Sequence, residues 1–213
     1  MLNKNFSPEI KNIIFDLGGV ILNIDYNITI NAFKQLGIIN FDELYTQAGQ
    51  CELFDKLDKG EITNNDFRNE VRQLLPSVNL SNKQIDDAWN AMLLDMPVER
   101  LIILEKLKPL YRTFLLSNTN AIHVPLFSEI VKSTINKNNL TDFFEATYYS
   151  NEIGMRKPNA DIYEFVVQKH NLKPCETLFI DDSIQNVEGA QKVGLHAYHL
   201  ANGETINQLF AEI

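Results

Sequence analysis

Ile13-Ile14-Phe15-Asp16-Leu17-Gly18-Gly19-Val20 is the stretch on which the fold turns. An apolar run rich in isoleucine ends on a carboxylate and then breaks into two glycines. Such a run reads as a buried strand, and paired glycines stop it. Asp16 then sits at the C-terminal tip of the strand, where open α/β sheets bind their ligands. A buried strand has no structural need for an acid there.

Four more apolar strand candidates follow, at 113–116, 146–149, 177–180 and 195–199. Helical patterns separate them: Leu101, Leu104, Leu107 and Leu110; then Ile162, Phe165 and Val166; then Val187, Ala190 and Val193. Strands alternating with helices imply βαβ units and a mostly parallel sheet flanked by helices, an α/β fold. Residues 26–96 break the rhythm. They show only helical patterns, through Ile30, Phe33, Lys34 and Gly37; Phe67, Val71, Leu74 and Leu75; and Ile85, Ala88, Trp89 and Met92. Thr63 with Asp66 reads as a capping box, and Ser81 caps the next helix. The expected organisation is a core of 1–25 and 97–213, interrupted by an all-helical insertion at 26–96.

The 213 residues carry a net charge of −9, a pI near 4.9 and 45% hydrophobic residues. A sizeable core is affordable, and the acidity argues against nucleic acid or an anionic membrane as partner. Cys51 and Cys175 form no metal or disulfide pattern. Met1 to Pro8 holds no signal-peptide core, and no apolar run spans a bilayer, so a cytoplasmic location is expected.

Three further strand ends carry polar chemistry. Leu178-Phe179-Ile180-Asp181-Asp182-Ser183 ends in two acids. Adjacent buried carboxylates repel unless they share a cation, and hard oxygens suit Mg²⁺. Taken alone, Asp182 or Ser183 as a helix N-cap is an equal reading. Two acid-tipped strands in one sheet favour the metal. Leu115-Leu116-Ser117-Asn118-Thr119-Asn120 ends in a hydroxyl and an amide, able to serve a phosphoryl group or simply a turn. Gly154-Met155-Arg156-Lys157-Pro158 places a lysine before a proline that can open a helix at Asn159. A solvated Lys-Arg pair is the alternative there.

In this order the four elements resemble the motifs of the haloacid dehalogenase-like (HAD) hydrolase superfamily. The resemblance spans the whole core and puts the helical insertion where that family carries a C1-type cap. The wording is closest to the subgroup of bacterial α-D-glucose-1-phosphate phosphatase and the N-terminal phosphatase domain of soluble epoxide hydrolase. It implies a Rossmann-like core and a Mg²⁺-dependent phosphatase of a small phosphorylated metabolite, a sugar phosphate among the candidates, working through an aspartyl-phosphate. Asp16 would be the nucleophile. The Gly18 carbonyl, Asp16 and Asp182 would hold Mg²⁺, with Asp181 supporting them. Ser117, Asn118 and Lys157 would bind the phosphoryl group, Lys157 bridging it to the nucleophile, and the Gly18-Gly19 backbone would line the substrate.

One position departs from the family. Most phosphatases of the superfamily carry an acid/base aspartate two residues after the nucleophile, and Gly18 stands there. A good leaving group would need less help. His123 and Asp25 are candidate substitutes; a helix-surface histidine and a turn acid are their structural readings. Asp55 to Ile62 superficially resembles an EF-hand loop, but Leu57 and Lys59 offer no oxygen ligands, so it reads as a turn between helices. Tyr148 and Tyr149 read as strand residues and Trp89 as core of the helical segment. Alternatives to the phosphatase are a metal-independent haloacid dehalogenase, against which Asp181-Asp182 speaks, and a catalytically silent phosphate-binding module. A monomer and a homodimer fit equally.

Overall fold

Asn12–Phe15 forms strand β1, and all four of its side chains are buried. The computed structural model describes residues 9–45, 52–135, 140–201 and 203–213. Cys51 and residues Met1 to Pro8 lie outside them, and Cys175 is exposed. After β1 come helices α1 (Tyr26–Gln35), α2 (Phe41–Leu44), α3 (Glu52–Asp58), α4 (Asn64–Gln73) and α5 (Asn82–Asn90). The chain then alternates: α6 (Val98–Leu107), β2 (Arg112–Ser117), α7 (His123–Thr134), β3 (Ala146–Tyr149), α8 (Ser150–Ile153), α9 (Ala160–Lys169), β4 (Thr177–Asp181), α10 (Ile184–Lys192), β5 (His196–His199) and α11 (Ile206–Leu209).

The strands pair in the order β3-β2-β1-β4-β5, every pairing parallel. The chain moves outward from β1 to β2 and β3, then returns to β4 on the other side of β1. That reversal is a topological switch point, and the crevice beyond the strand ends there is where such sheets bind ligands. Both sheet faces are covered, so the strands read as continuous apolar runs rather than alternating ones. Ile13, Phe15, Leu115, Leu178 and Ile180 pack one way with α6 and α7; Ile14, Phe114, Leu116 and Phe179 pack the other way with α9 and α10.

The expected strands all form, within one or two residues at their ends. Two boundaries differ. Leu110 continues the leucine spacing but is exposed beyond α6, whose buried stripe ends at Leu107. Pro158 does not open α9; the Lys157–Pro158 peptide is cis, and Asn159 is the N-cap of a helix that starts at Ala160. Thr63 and Ser81 each form a full capping box, with Asp66 and Gln84.

The helices between β1 and β2 bury their own cluster, in which Phe33, Phe41, Tyr45, Phe54, Phe67 and Trp89 meet ring to ring. The two strands of chain that join this segment to the sheet run side by side. Asn23 N donates to Asp95 O (2.8 Å), Leu94 N to Asn23 O (3.0 Å) and Asp25 N to Met92 O (3.0 Å). No helix among the described residues is long and apolar enough to cross a membrane.

Trp89 is 1% exposed at the centre of the helical cluster. Trp89→Ala should lower stability by about 3–5 kcal/mol. Urea unfolding would show this as a lower midpoint with an unchanged slope.

Candidate active site

β1 and β4 are neighbours, so Asp16 follows β1 directly beside the end of β4, and its amide donates to Ile180 O at 2.9 Å. The side chains of Asp16, Asp181 and Asp182 each offer an oxygen, all within 4.8 Å of one another. Lys157, 1% exposed, reaches into this group. Its Nζ lies 2.7 Å from Asp16 Oδ1 and 2.6 Å from Asp181 Oδ2. Lys157 thus bridges two carboxylates, a contact the motif reading did not include.

Each partner is held from behind. Asp181 Oδ1 accepts from Ser183 N at 2.8 Å and from Asn186 Nδ2 at 3.0 Å, which ties β4 to the first turn of α10. Ser183 occupies the N-cap position of α10 without a side-chain capping bond, so its hydroxyl does not cap the helix. Asn118 Nδ2 donates to Lys157 O and its Oδ1 accepts from Lys157 N, both at 2.9 Å. The Asn118 amide therefore orients the lysine loop. Ser117 is buried at the tip of β2 and lines the same cavity as Asp16, Gly18, Asn118, Lys157 and Asp182.

Two glycines act through the space they leave. Gly19 has φ +72°, and a Cβ there would fall 2.3 Å from Asp182 Oδ2. Only glycine lets the Asp182 carboxylate approach this loop. Gly18 has no such backbone demand; a Cβ there would lie 2.9 Å from Ile24 Cδ1. Ile24, an apolar group on the cavity wall, stands beside the position that holds the acid/base aspartate in most superfamily phosphatases.

Burial raises the Asp16 carboxyl, up to about 8, against the opposing pull of Lys157. Burial likewise raises Asp182 to about 6, and neighbouring Asp181 adds to it. Burial alone would lower the Lys157 ammonium, but Asp16 and Asp181 outweigh it and the net direction is up. Three acids share one ammonium in a buried site, and ionising all of them calls for further positive charge. Hard oxygens with that need fit a divalent cation of the Mg²⁺ class.

The remaining candidates divide. Asp25 is the N-cap of α1, accepting from Asn27 N at 2.9 Å, and does not line the Asp16 cavity. His123 is not on a helix surface. It is buried, stacked on Trp89 at 5.0 Å between centroids, and its Nδ1 meets Asn90 Oδ1 at 2.7 Å. Burial pushes its imidazole down to about 3, which keeps it neutral and unsuited to proton donation at neutral pH. Trp89 is both core and cavity wall. The 55–62 segment is the end of α3 and the turn into α4, as expected.

Two cavity-lining residues escaped the motif reading, Asp58 and Arg156 in its paired state, together with the fully buried Asn120 that holds Asp58 from behind. Asp58 lies on the buried stripe of α3 with Phe54 and Leu57. An acid at i+4 on an apolar stripe is the sequence signal that marks it.

The haloacid dehalogenase-like hydrolase family model matches residues 115–199, which include Ser117, Lys157, Asp181 and Asp182. D-ribitol-5-phosphate phosphatase of Bacteroides thetaiotaomicron is 30% identical over 199 residues, 91% of this chain and 93% of that protein. A HAD family enzyme of Bacteroides thetaiotaomicron, solved as a complex with magnesium and inorganic phosphate, has a TM-score of 0.88 at 38% identity, covering 94% of this chain and 98% of that one. A HAD-like family hydrolase from Porphyromonas gingivalis has a TM-score of 0.81 at 35% identity, covering 92% and 93%.

Because the folded His123 titrates near 3 rather than at the ordinary 6.5, it favours the folded state fully only above about 6.5. That contribution is lost as pH falls from there towards 3. The stability of the protein should therefore fall relative to that of His123→Phe as pH drops from about 6.5 towards 3, by about 1.4 kcal/mol per pH unit. Parallel curves in urea titrations at several pH values would rule this out. Gly19→Ala should displace Asp182 and cut phosphatase turnover at least ~10-fold while the circular dichroism spectrum is retained.

Proposed function

Because the chain belongs to the haloacid dehalogenase-like hydrolases, we propose that it cleaves a small phosphorylated polyol or sugar, with Asp16 as nucleophile. It is a phosphoric monoester hydrolase, and magnesium is its cofactor. The observation that carries the mechanistic reading is the meeting of Asp16, Asp181, Asp182 and Lys157 at the switch point of the sheet. The D-ribitol-5-phosphate phosphatase relative supports the substrate class.

Asp16 is a weak nucleophile that needs no deprotonation once ionised. Lys157 holds one of its oxygens at 2.7 Å, and the other is the attacking oxygen. Attack of that oxygen on phosphorus forms an acyl phosphate and breaks the ester P–O bond, whose electron pair leaves with the alkoxide, which takes a proton from solvent water. A water molecule then attacks phosphorus and gives up a proton to solvent, the Asp16 carboxylate leaves with its electrons, and inorganic phosphate departs. Asp16, Asp182 and the Gly18 carbonyl would hold Mg²⁺, with Asp181 behind them; the ion neutralises phosphoryl charge when bound. Ser117 is placed to donate to a phosphoryl oxygen, and Lys157 to stabilise charge as it develops.

No side chain at Gly18 protonates the leaving oxygen, so its own basicity weighs on the first step. Residues 26–96 act as a cap over a core of 1–25 and 97–213. Their separate cluster and paired connections support that division. The cap closes the site against water during turnover.

Asp16→Asn should reduce phosphate release from an aryl phosphate by at least ~10³-fold, as expected for loss of the nucleophile. EDTA should abolish release, and added Mg²⁺ should restore it. Turnover that persists in Asp16→Asn would sink the mechanism.

A further inference from the structure

We propose that Asp58, seated by Asn120 beside Arg156, is a hydroxyl-binding subsite that selects substrates whose far end is polyhydroxylated. This rests on the phosphatase reading of the Asp16 centre and adds the part of the substrate that the phosphoryl site does not touch.

Asp58 ends α3 and lines the same cavity as Asp16, Ser117 and Lys157, yet it is only 6% exposed. Its seat is built. Asn120 is fully buried, and its Oδ1 accepts from Ile122 N and His123 N, each at 3.2 Å, and from Trp89 Nε1 at 3.4 Å. Those donors fix which way the amide faces. Its Nδ2 must point to Asp58 Oδ1, which it meets at 3.1 Å. The Asn120 amide thereby links the core loop after β2 to the carboxylate of a cap helix.

Arg156 supplies the counter-charge without consuming the carboxylate. Its Nη1 donates to Asp55 Oδ1 at 2.8 Å, whereas its Nη2 stays 3.8 Å from Asp58 Oδ2, beyond a hydrogen bond. One guanidinium is thus shared between two acids, and Lys59 Nζ takes the other oxygen of Asp55 at 2.6 Å, so the four groups balance while Asp58 keeps open acceptor positions. A carboxylate can accept about four hydrogen bonds. Among the described residues Asp58 accepts one. Its remaining acceptor positions, on a cavity wall, call for O–H donors.

A substrate hydroxyl satisfies the Asp58 carboxylate. A site built around a substrate hydroxyl also rejects the analogue that lacks it, because a buried acceptor is then left unpaired. The Tyr45 and Trp89 rings on the same wall offer apolar faces to a carbon chain between the two ends.

The test compares kcat/KM for D-ribitol 5-phosphate and n-pentyl phosphate, with Mg²⁺, in the protein and its Asp58→Ala and Asp58→Asn variants. An aryl phosphate reports on the chemistry itself. The wild type should prefer the pentitol phosphate to the pentyl phosphate. Asp58→Ala should shrink that ratio at least ~30-fold, and Asp58→Asn, which keeps the shape, should shrink it less. Equal losses on all substrates, or an unchanged pentitol-to-pentyl ratio, would overturn the subsite while leaving the phosphatase reading intact. Inactivity of the wild type on every phosphate, the aryl ester included, would overturn both. If Asp58→Ala does not fold, the ratio in Asp58→Asn decides.

Discussion

A single ammonium group, Lys157 Nζ, sits between Asp16 and Asp181 at the end of the sheet, screened from solvent. Charges so buried persist only when paired, and removing one partner of a buried pair typically costs about 3–5 kcal/mol. The surroundings are arranged accordingly. Asn118 clamps the backbone of Lys157, Ser183 N and Asn186 fill the remaining positions of Asp181, and Gly19 clears the approach of Asp182. Four segments distant in sequence must converge for this contact to exist. The parallel sheet brings them together because its strands all end on the same side.

That convergence explains why the fold was so legible in the sequence. Parallel strands covered on both faces appear as unbroken apolar runs, and acids at their tips stand out against them. The same logic located Asp16, Ser117, Lys157, Asp181 and Asp182. The contacts between these residues were not legible, since tertiary distances leave no local trace. Lys157 reaches Asp181 as well as Asp16, and Asn118 turns its amide to the lysine loop rather than to the cavity. His123 misled because its exposure depends on Trp89 and Asn90, which arrive from another helix. Asp58 was passed over as part of a turn, although the α3 stripe of Phe54 and Leu57 runs straight into it.

The two halves of the cavity differ in character. The sheet contributes charge: three carboxylates and a lysine. The helical segment contributes Tyr45, Trp89 and Met92, and among these large side chains the lone acid Asp58. Contact between the halves is close. Gly60, at φ +67°, brings its backbone so near that a Cβ would lie 2.3 Å from Asn151 O, and Asp55 pairs with Arg156 across the same boundary. The segment thus leans on the core through a backbone contact that tolerates no side chain and an ion pair that does not enter the chemistry.

The paired connections at Asn23–Asp25 and Met92–Asp95 bear on how such a molecule can change over generations. Because the ends of the helical segment lie hydrogen-bonded to each other, the segment is a closed excursion from the sheet. Lengthening, shortening or exchanging it alters loop closure only slowly with length. The strand tips keep their register whatever lies between the two crossings. Novelty in what is recognised can therefore arise by replacing one module, while the inherited electrostatics of the strand ends pass on unaltered.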